Sequence, residues 1–200
     1  KERRSDLDVI NAMQEELNRS WQKLRLEGYE SPYVISYQIK DNAFYSIEGK
    51  YGAVVSSDSD RVRRLFVDVR VGNYEFDNSI RGQSGGKVPF YNASFIPVDN
   101  DLDAIRAVLW QATDYAYKEA LSQYFNKKAN YVQKVKDENF ASFSRENSNV
   151  YYDPEVNLFF DPKEWESKIR EISAIYKDYK ERIDADLDIT AQKETTYFIN

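Results

Sequence analysis

Histidine and cysteine are both missing from this 200-residue chain. Their absence excludes a Ser-His-Asp triad, a cysteine nucleophile and any zinc site built from the usual nitrogen and sulfur ligands. A metal held by these residues alone would need oxygen ligands. Basic charge is also in short supply. The chain carries 28 Lys and Arg against 34 Asp and Glu, a net charge of -6, and this argues against a broad surface for phosphate backbones, so no nucleic-acid partner is expected. Seven glycines and five prolines are too few for a disordered or collagen-like chain. No apolar run approaches the roughly 20 residues that a membrane-crossing helix needs, so no membrane span is expected either.

What the chain does have is aromatic surface. Sixteen tyrosines and eleven phenylalanines suit half-buried strands and helix faces with one wet edge. Two hundred residues are enough for one α+β domain with a core that needs no staples. Its expected elements are a helix over 1–28, a strand meander over 32–76, a mobile loop over 77–97, a long helix over 99–133, a helix over 161–179 and strands over 183–200.

In the first helix Ile10, Met13, Leu17, Trp21 and Leu24 recur at spacings of three and four, which predicts an amphipathic stripe. Ser5 or Asp6 is a candidate cap and Gly28 a candidate stop. Pro32 then blocks further helix, and Tyr33, Ile35, Tyr37 and Ile39 alternate as a strand does. Asp41-Asn42 and the stretch Ser56-Ser57-Asp58-Ser59-Asp60 read as turns, which divides 32–76 into three antiparallel strands. Gly49 and Gly52 suggest a bulge or a close approach. In the third run Leu65, Val67, Val69 and Val71 share a face. The long helix opens on Asp99 or Asp101 and carries Leu102, Ile105, Leu109, Ala112, Ala116 and Ala120 in one stripe. Asp161-Pro162-Lys163-Glu164 is a helix start, with Trp165, Ile169, Ile172 and Tyr176 following on one face. Ile183, Ala185, Leu187 and Ile189 alternate with three aspartates, and residues 195–199 begin a further strand. That pattern is still running at Asn200, and the chain opens on Lys1 rather than Met, so a piece of a longer protein is the expectation.

Four motifs suggest chemistry, and each has a plainer reading. Gly82-Gln83-Ser84-Gly85-Gly86-Lys87 resembles a phosphate loop, but Arg81 and Val88 stand where that loop needs Gly and Ser or Thr, and no helix follows. Ser20-Trp21-Gln22-Lys23 matches a Ser-x-x-Lys pattern without its Lys-Thr-Gly partner, and surface positions on the first helix account for it. The triplets Asp99, Asp101, Asp103 and Asp184, Asp186, Asp188 resemble the opening of a calcium loop. Ala104 and Ile189 occupy the position where that loop requires glycine, which leaves a helix start and a solvated strand face. Arg61, Arg63 and Arg64 beside Phe66 form a basic knot among acids, better suited to local salt bridges or a subunit interface than to single-stranded nucleic acid. No catalytic, cofactor-binding or metal-ligating residue is assigned to this chain.

A wider likeness runs through the chain in order. Its segments are Asp8-Val9-Ile10-Asn11-Ala12-Met13-Gln14-Glu15-Glu16-Leu17, Tyr33-Val34-Ile35-Ser36-Tyr37, and Gly52-Ala53-Val54-Val55-Ser56-Ser57. Further along come Val69-Arg70-Val71-Gly72-Asn73-Tyr74 with Asp77-Asn78, Leu109-Trp110-Gln111-Ala112-Thr113-Asp114 with Ala116-Tyr117-Lys118, and Thr195-Thr196-Tyr197-Phe198-Ile199-Asn200. Together they resemble the amino-terminal part of TldD/PmbA-related proteins, a family described as metallopeptidases and as modulators of DNA gyrase. The nearest likeness is to a branch that follows a signal peptide, which implies an exported location in preference to a cytoplasmic one. The resemblance implies a non-catalytic α+β domain with an antiparallel sheet. It also implies zinc bound in a downstream catalytic domain, a homodimer or family heterodimer enclosing a chamber, and a peptide substrate. The alternative is a free-standing peptide- or glycan-binding module with no catalytic role.

Overall fold

The computed structural model describes residues 3–79, 91–131, 141–154, 156–179, 181 and 184–200. Three helices and five strands follow in the order α1 (Arg3–Lys23), β1 (Pro32–Lys50), β2 (Ala53–Val71), β3 (Tyr91–Ile96), α2 (Leu102–Tyr131), β4 (Val150–Tyr152), α3 (Pro162–Ala174) and β5 (Leu187–Ile199). A short 3-10 helix, Ile175–Tyr179, extends α3. The strands form one antiparallel sheet in the order β3-β2-β1-β5-β4. This is the α+β class expected from the patterning, with one long helix and two shorter ones.

The chain separates into two compact units. The first comprises Lys1–Lys40, Arg63–Asp153 and Thr196–Asn200, and the second comprises Asp41–Val62 and Pro154–Thr195.

In the first unit, Val9, Ala12, Met13 and Leu17 of α1 and Ile105, Leu109, Tyr117 and Leu121 of α2 bury one apolar cluster. They meet Ile35, Tyr37 and Ile39 of β1 and Leu65, Val67, Val69 and Val71 of β2 there. The expected faces of 33–39 and 65–71 are the buried ones. The α1 stripe lies differently from the expectation. Trp21 is exposed, and Glu16 and Ser20 take up the buried face beside Leu17, because positions 9, 12, 13, 16, 17 and 20 follow one helical stripe. The helix begins before Ser5 and Asp6 and stops at Lys23, so neither residue caps it and Gly28 lies beyond its end. At α2 the cap is Asp101, whose carboxylate accepts the Ala104 N–H at 3.0 Å.

The second unit holds the main corrections to the strand reading. Asp41-Asn42 is not a turn, and β1 runs through it. Asp41 is buried because Arg61 forks onto it, with Nε and Nη2 at 2.9 and 2.7 Å, and Asn42 accepts from the Gln192 amide at 2.9 Å. Turn-forming side chains are thus satisfied across the sheet. Nor does the Ser56 to Asp60 stretch turn, since β2 passes through it. The real reversal is Tyr51-Gly52, with φ of 49° and 80°. Two positive values between paired strands make a type I′ hairpin turn. Gly49 provides a close approach: an added Cβ would overlap Cγ2 of Ile169 on α3. Asp161 caps α3 by accepting the Lys163 N–H at 3.0 Å, with Pro162 at the first position. Glu164 pairs with Lys168. Ile169 and Ser173 are the buried residues of this helix, while Ile172 is exposed.

Two further expectations change. Residues 91–96 of the anticipated loop are strand β3, paired with β2 from Arg63↔Ile96 to Val67↔Tyr91. The two strands expected after residue 183 are one strand, β5, from Leu187 onward. Short β4 pairs with its end, Val150↔Ile199 to Tyr152↔Tyr197. The glycine-rich cluster at 82–87, the 132–133 end of the long helix and Ile183 lie outside the described residues.

Candidate functional site

The densest polar construction is in the first unit, where β2 leaves the sheet. Gly72 takes φ 101°, and a Cβ there would run into the Phe76 carbonyl oxygen and the Tyr124 ring. The freed chain doubles back so that Gly72 bridges Asp77. The Asn73 side chain caps the loop, accepting the N–H groups of Glu75 and Phe76 at 3.0 and 2.9 Å. Asn78 replaces a strand partner by accepting Val71 N–H at 3.1 Å.

Asp77 is the centre of this clasp and is fully buried. Its Oδ2 accepts the Tyr33 hydroxyl at 2.8 Å and Arg70 Nη1 at 3.2 Å, and its Oδ1 accepts Ser79 N–H at 2.8 Å. Lys127 of α2 donates to the Asp77 carbonyl at 2.8 Å. Arg70 also donates from Nε to Asp68 at 2.9 Å, and its guanidinium sits 3.9 Å from the centre of the Phe143 ring. Ser142, 65 residues on from Asp77 in the chain, closes the clasp. Its hydroxyl donates to the Glu75 carbonyl at 3.1 Å and accepts Asp77 N–H at 3.3 Å.

Burial alone would raise the Asp77 carboxyl, but the Ser79 and Tyr33 donors and the Arg70 charge outweigh it and hold the group below the usual carboxylate range. Asp68 goes the other way, lifted by burial against the pull of Arg70. Tyr33 is driven upward by burial and by its bond to Asp77. The result is a carboxylate kept charged and a phenol kept protonated, with every acceptor oxygen of Asp77 engaged.

A second buried cluster ties α1 to β1 and α2. Glu16, 1% exposed, accepts the Ser20 hydroxyl at 3.1 Å and Arg19 Nε at 2.9 Å. The Thr113 hydroxyl donates to the Leu109 carbonyl at 2.6 Å, which leaves the Tyr37 hydroxyl to donate to Thr113 at 2.9 Å. Burial pushes the Tyr37 hydroxyl up to about 12. Ser20 is therefore a core residue, not the surface position expected from the Ser-x-x-Lys match, and its hydroxyl is oriented toward Glu16 while Lys23 is exposed.

The arginines of the basic knot have separate local tasks. Arg61 pairs with Asp41, buried Arg63 donates to the Pro97 carbonyl at 2.9 Å and to Asn100 at 3.0 Å, and Arg64 lies over the Phe95 ring. Of the two aspartate triplets, Asp101 caps α2, Asp184 pairs with Lys50, and Asp186 and Asp188 are exposed. Among the described residues no three acidic side chains converge as metal ligands, and Arg70 occupies the space between Asp68 and Asp77. These donors do not fit a zinc ion. No described helix is long and apolar enough to cross a membrane.

The clasp residues Arg70, Gly72, Asn73, Asp77 and Asn78 carry no local catalytic signature, and only the family likeness marks them in the sequence. Ser142 and Lys127 were not marked as site residues, and Glu16 was marked only through the likeness. Glu16 has a signal in its place on the α1 stripe, whereas Ser142 acts from too far along the chain to leave one. A scan against protein-family models, a search of curated proteins and a search of solved structures each find no match.

Proposed function

We propose that this chain is a non-catalytic domain of a TldD/PmbA-like zinc metallopeptidase, where it shapes a substrate chamber or a dimer contact. One observation carries the reading. The segments on which the likeness rests supply the structural joints of the first unit: Tyr33, Arg70, Gly72, Asn73, Asp77 and Asn78 build the clasp, and Glu16, Tyr37 and Thr113 build the second cluster. A likeness that takes in these joints suits a shared scaffold. The missing histidine and cysteine and the full engagement of Asp77 suit a scaffold without chemistry of its own.

On this reading zinc and peptidase activity reside in a separate, histidine-bearing domain, and the chain's partners are that domain and a second subunit. Zinc titration of the 200-residue chain against a chromogenic chelator should show no stoichiometric tight site. A tight one-to-one site accompanied by cleavage of casein would overturn the proposal.

A further inference from the structure

In the second unit, β2 has β1 on one side. On the other side β3 reaches only to Arg63. Among the described residues, 53–60 of β2 therefore form an open sheet edge. Its limits are built in: the Tyr51-Gly52 turn begins it, and Asp60 ends it by accepting Arg61 N–H on its own carboxylate at 2.8 Å. Eight residues make an edge of about 26 Å, long enough for a pairing strand.

Folded proteins usually block such an edge with charged side chains, lysine above all, with proline or with a covering segment. Residues 53–60 contain neither lysine nor proline, and Ala53, Ser56, Ser57 and Ser59 are small enough to leave the backbone accessible. Their only charges are Asp58 and Asp60, both exposed. A second copy would bring the same two acids and the same net charge of -6, an electrostatic mismatch.

We infer that this edge accepts an extended, basic peptide segment as an added antiparallel strand, with main-chain hydrogen bonds supplying affinity and Asp58 and Asp60 selecting lysine or arginine. Neither zinc nor the family likeness enters, so this inference and the zinc proposal stand or fall separately.

The test uses three capped octapeptides with the intact chain: alternating Lys-Val, alternating Glu-Val, and the Lys-Val peptide N-methylated at every residue. The Lys-Val peptide should bind saturably and slow amide hydrogen exchange within residues 53–60. Binding should weaken by about tenfold or more for the Glu-Val and N-methylated peptides, and for a D58K/D60K chain. Both substituted positions are exposed, and circular dichroism checks that the fold is kept. The inference is overturned if no peptide binds, as when the acids simply guard the edge. It is equally overturned if the N-methylated peptide binds as well as its parent, if protection falls elsewhere, or if a dimer of the chain closes this edge instead.

Discussion

The two units are built on different principles. Every residue of the main hydrophobic cluster belongs to the first, whereas among the described residues Ile47 and Ile169 are the only fully buried apolar side chains in the second. The first unit buries whole ion pairs and can do so because a large apolar core surrounds them. The second joins its strands with partly exposed pairs such as Arg61 with Asp41 and with one tight contact of helix on glycine. A thick core supports buried charge; a thin one depends on single close approaches. It follows that local opening should begin in the second unit, with amides of 43–49 exchanging before those of 35–39.

Asp77→Ala should weaken this contrast most. It leaves Arg70, the Tyr33 hydroxyl and Ser79 N–H without their acceptor, and breaking a buried pair of this kind costs about 3–5 kcal/mol. Urea unfolding would measure it, and a loss under about 1 kcal/mol would mean that the clasp is ornamental. Gly49→Ala should cost about 1–3 kcal/mol by overpacking against Ile169. Combined with Ile169→Ala it should cost less than the sum of the two single changes, and a strictly additive double mutant would refute the contact.

Acid should distinguish the two buried aspartates. Asp77 is depressed, so the stability it contributes is complete above the unfolded value near pH 4 and lost as pH falls further, through its folded value. Asp68 is raised, so protonation favours its folded form, and its contribution grows as pH falls. Acid titration of stability should therefore flatten in Asp77→Asn and steepen in Asp68→Asn. The smallest effect belongs to Tyr51→Asn. Asparagine tolerates the positive φ better than tyrosine, and the hairpin should gain a few tenths of a kcal/mol, read as a rise in Tm.

The apolar alternation at 33–39 and 65–71 was legible because each strand face is decided by its own residues. The caps at Asp101 and Asp161 were legible for the same reason. Asp41-Asn42 misled because its partners, Arg61 and Gln192, lie 20 and 150 residues away, and turn chemistry looks identical whether it is satisfied locally or across a sheet. Strand β4 is three residues long and exists only through its pairing with β5. Of the clasp, a glycine and some polar residues were visible, but the convergence of Tyr33, Arg70, Asp77, Lys127 and Ser142 is a product of topology.

The strand order has a kinetic consequence. Central β1 has β2 on one side and β5, the last strand among the described residues, on the other. During synthesis the β1–β2 hairpin can close early, but the opposite side of β1 waits for more than a hundred further residues. Tyr197 and Ile199 join the apolar cluster only once β5 has been made. Such late, distant pairing slows folding and leaves an interior strand briefly available to the wrong neighbour, so refolding yield should fall with protein concentration more steeply than native stability alone would suggest.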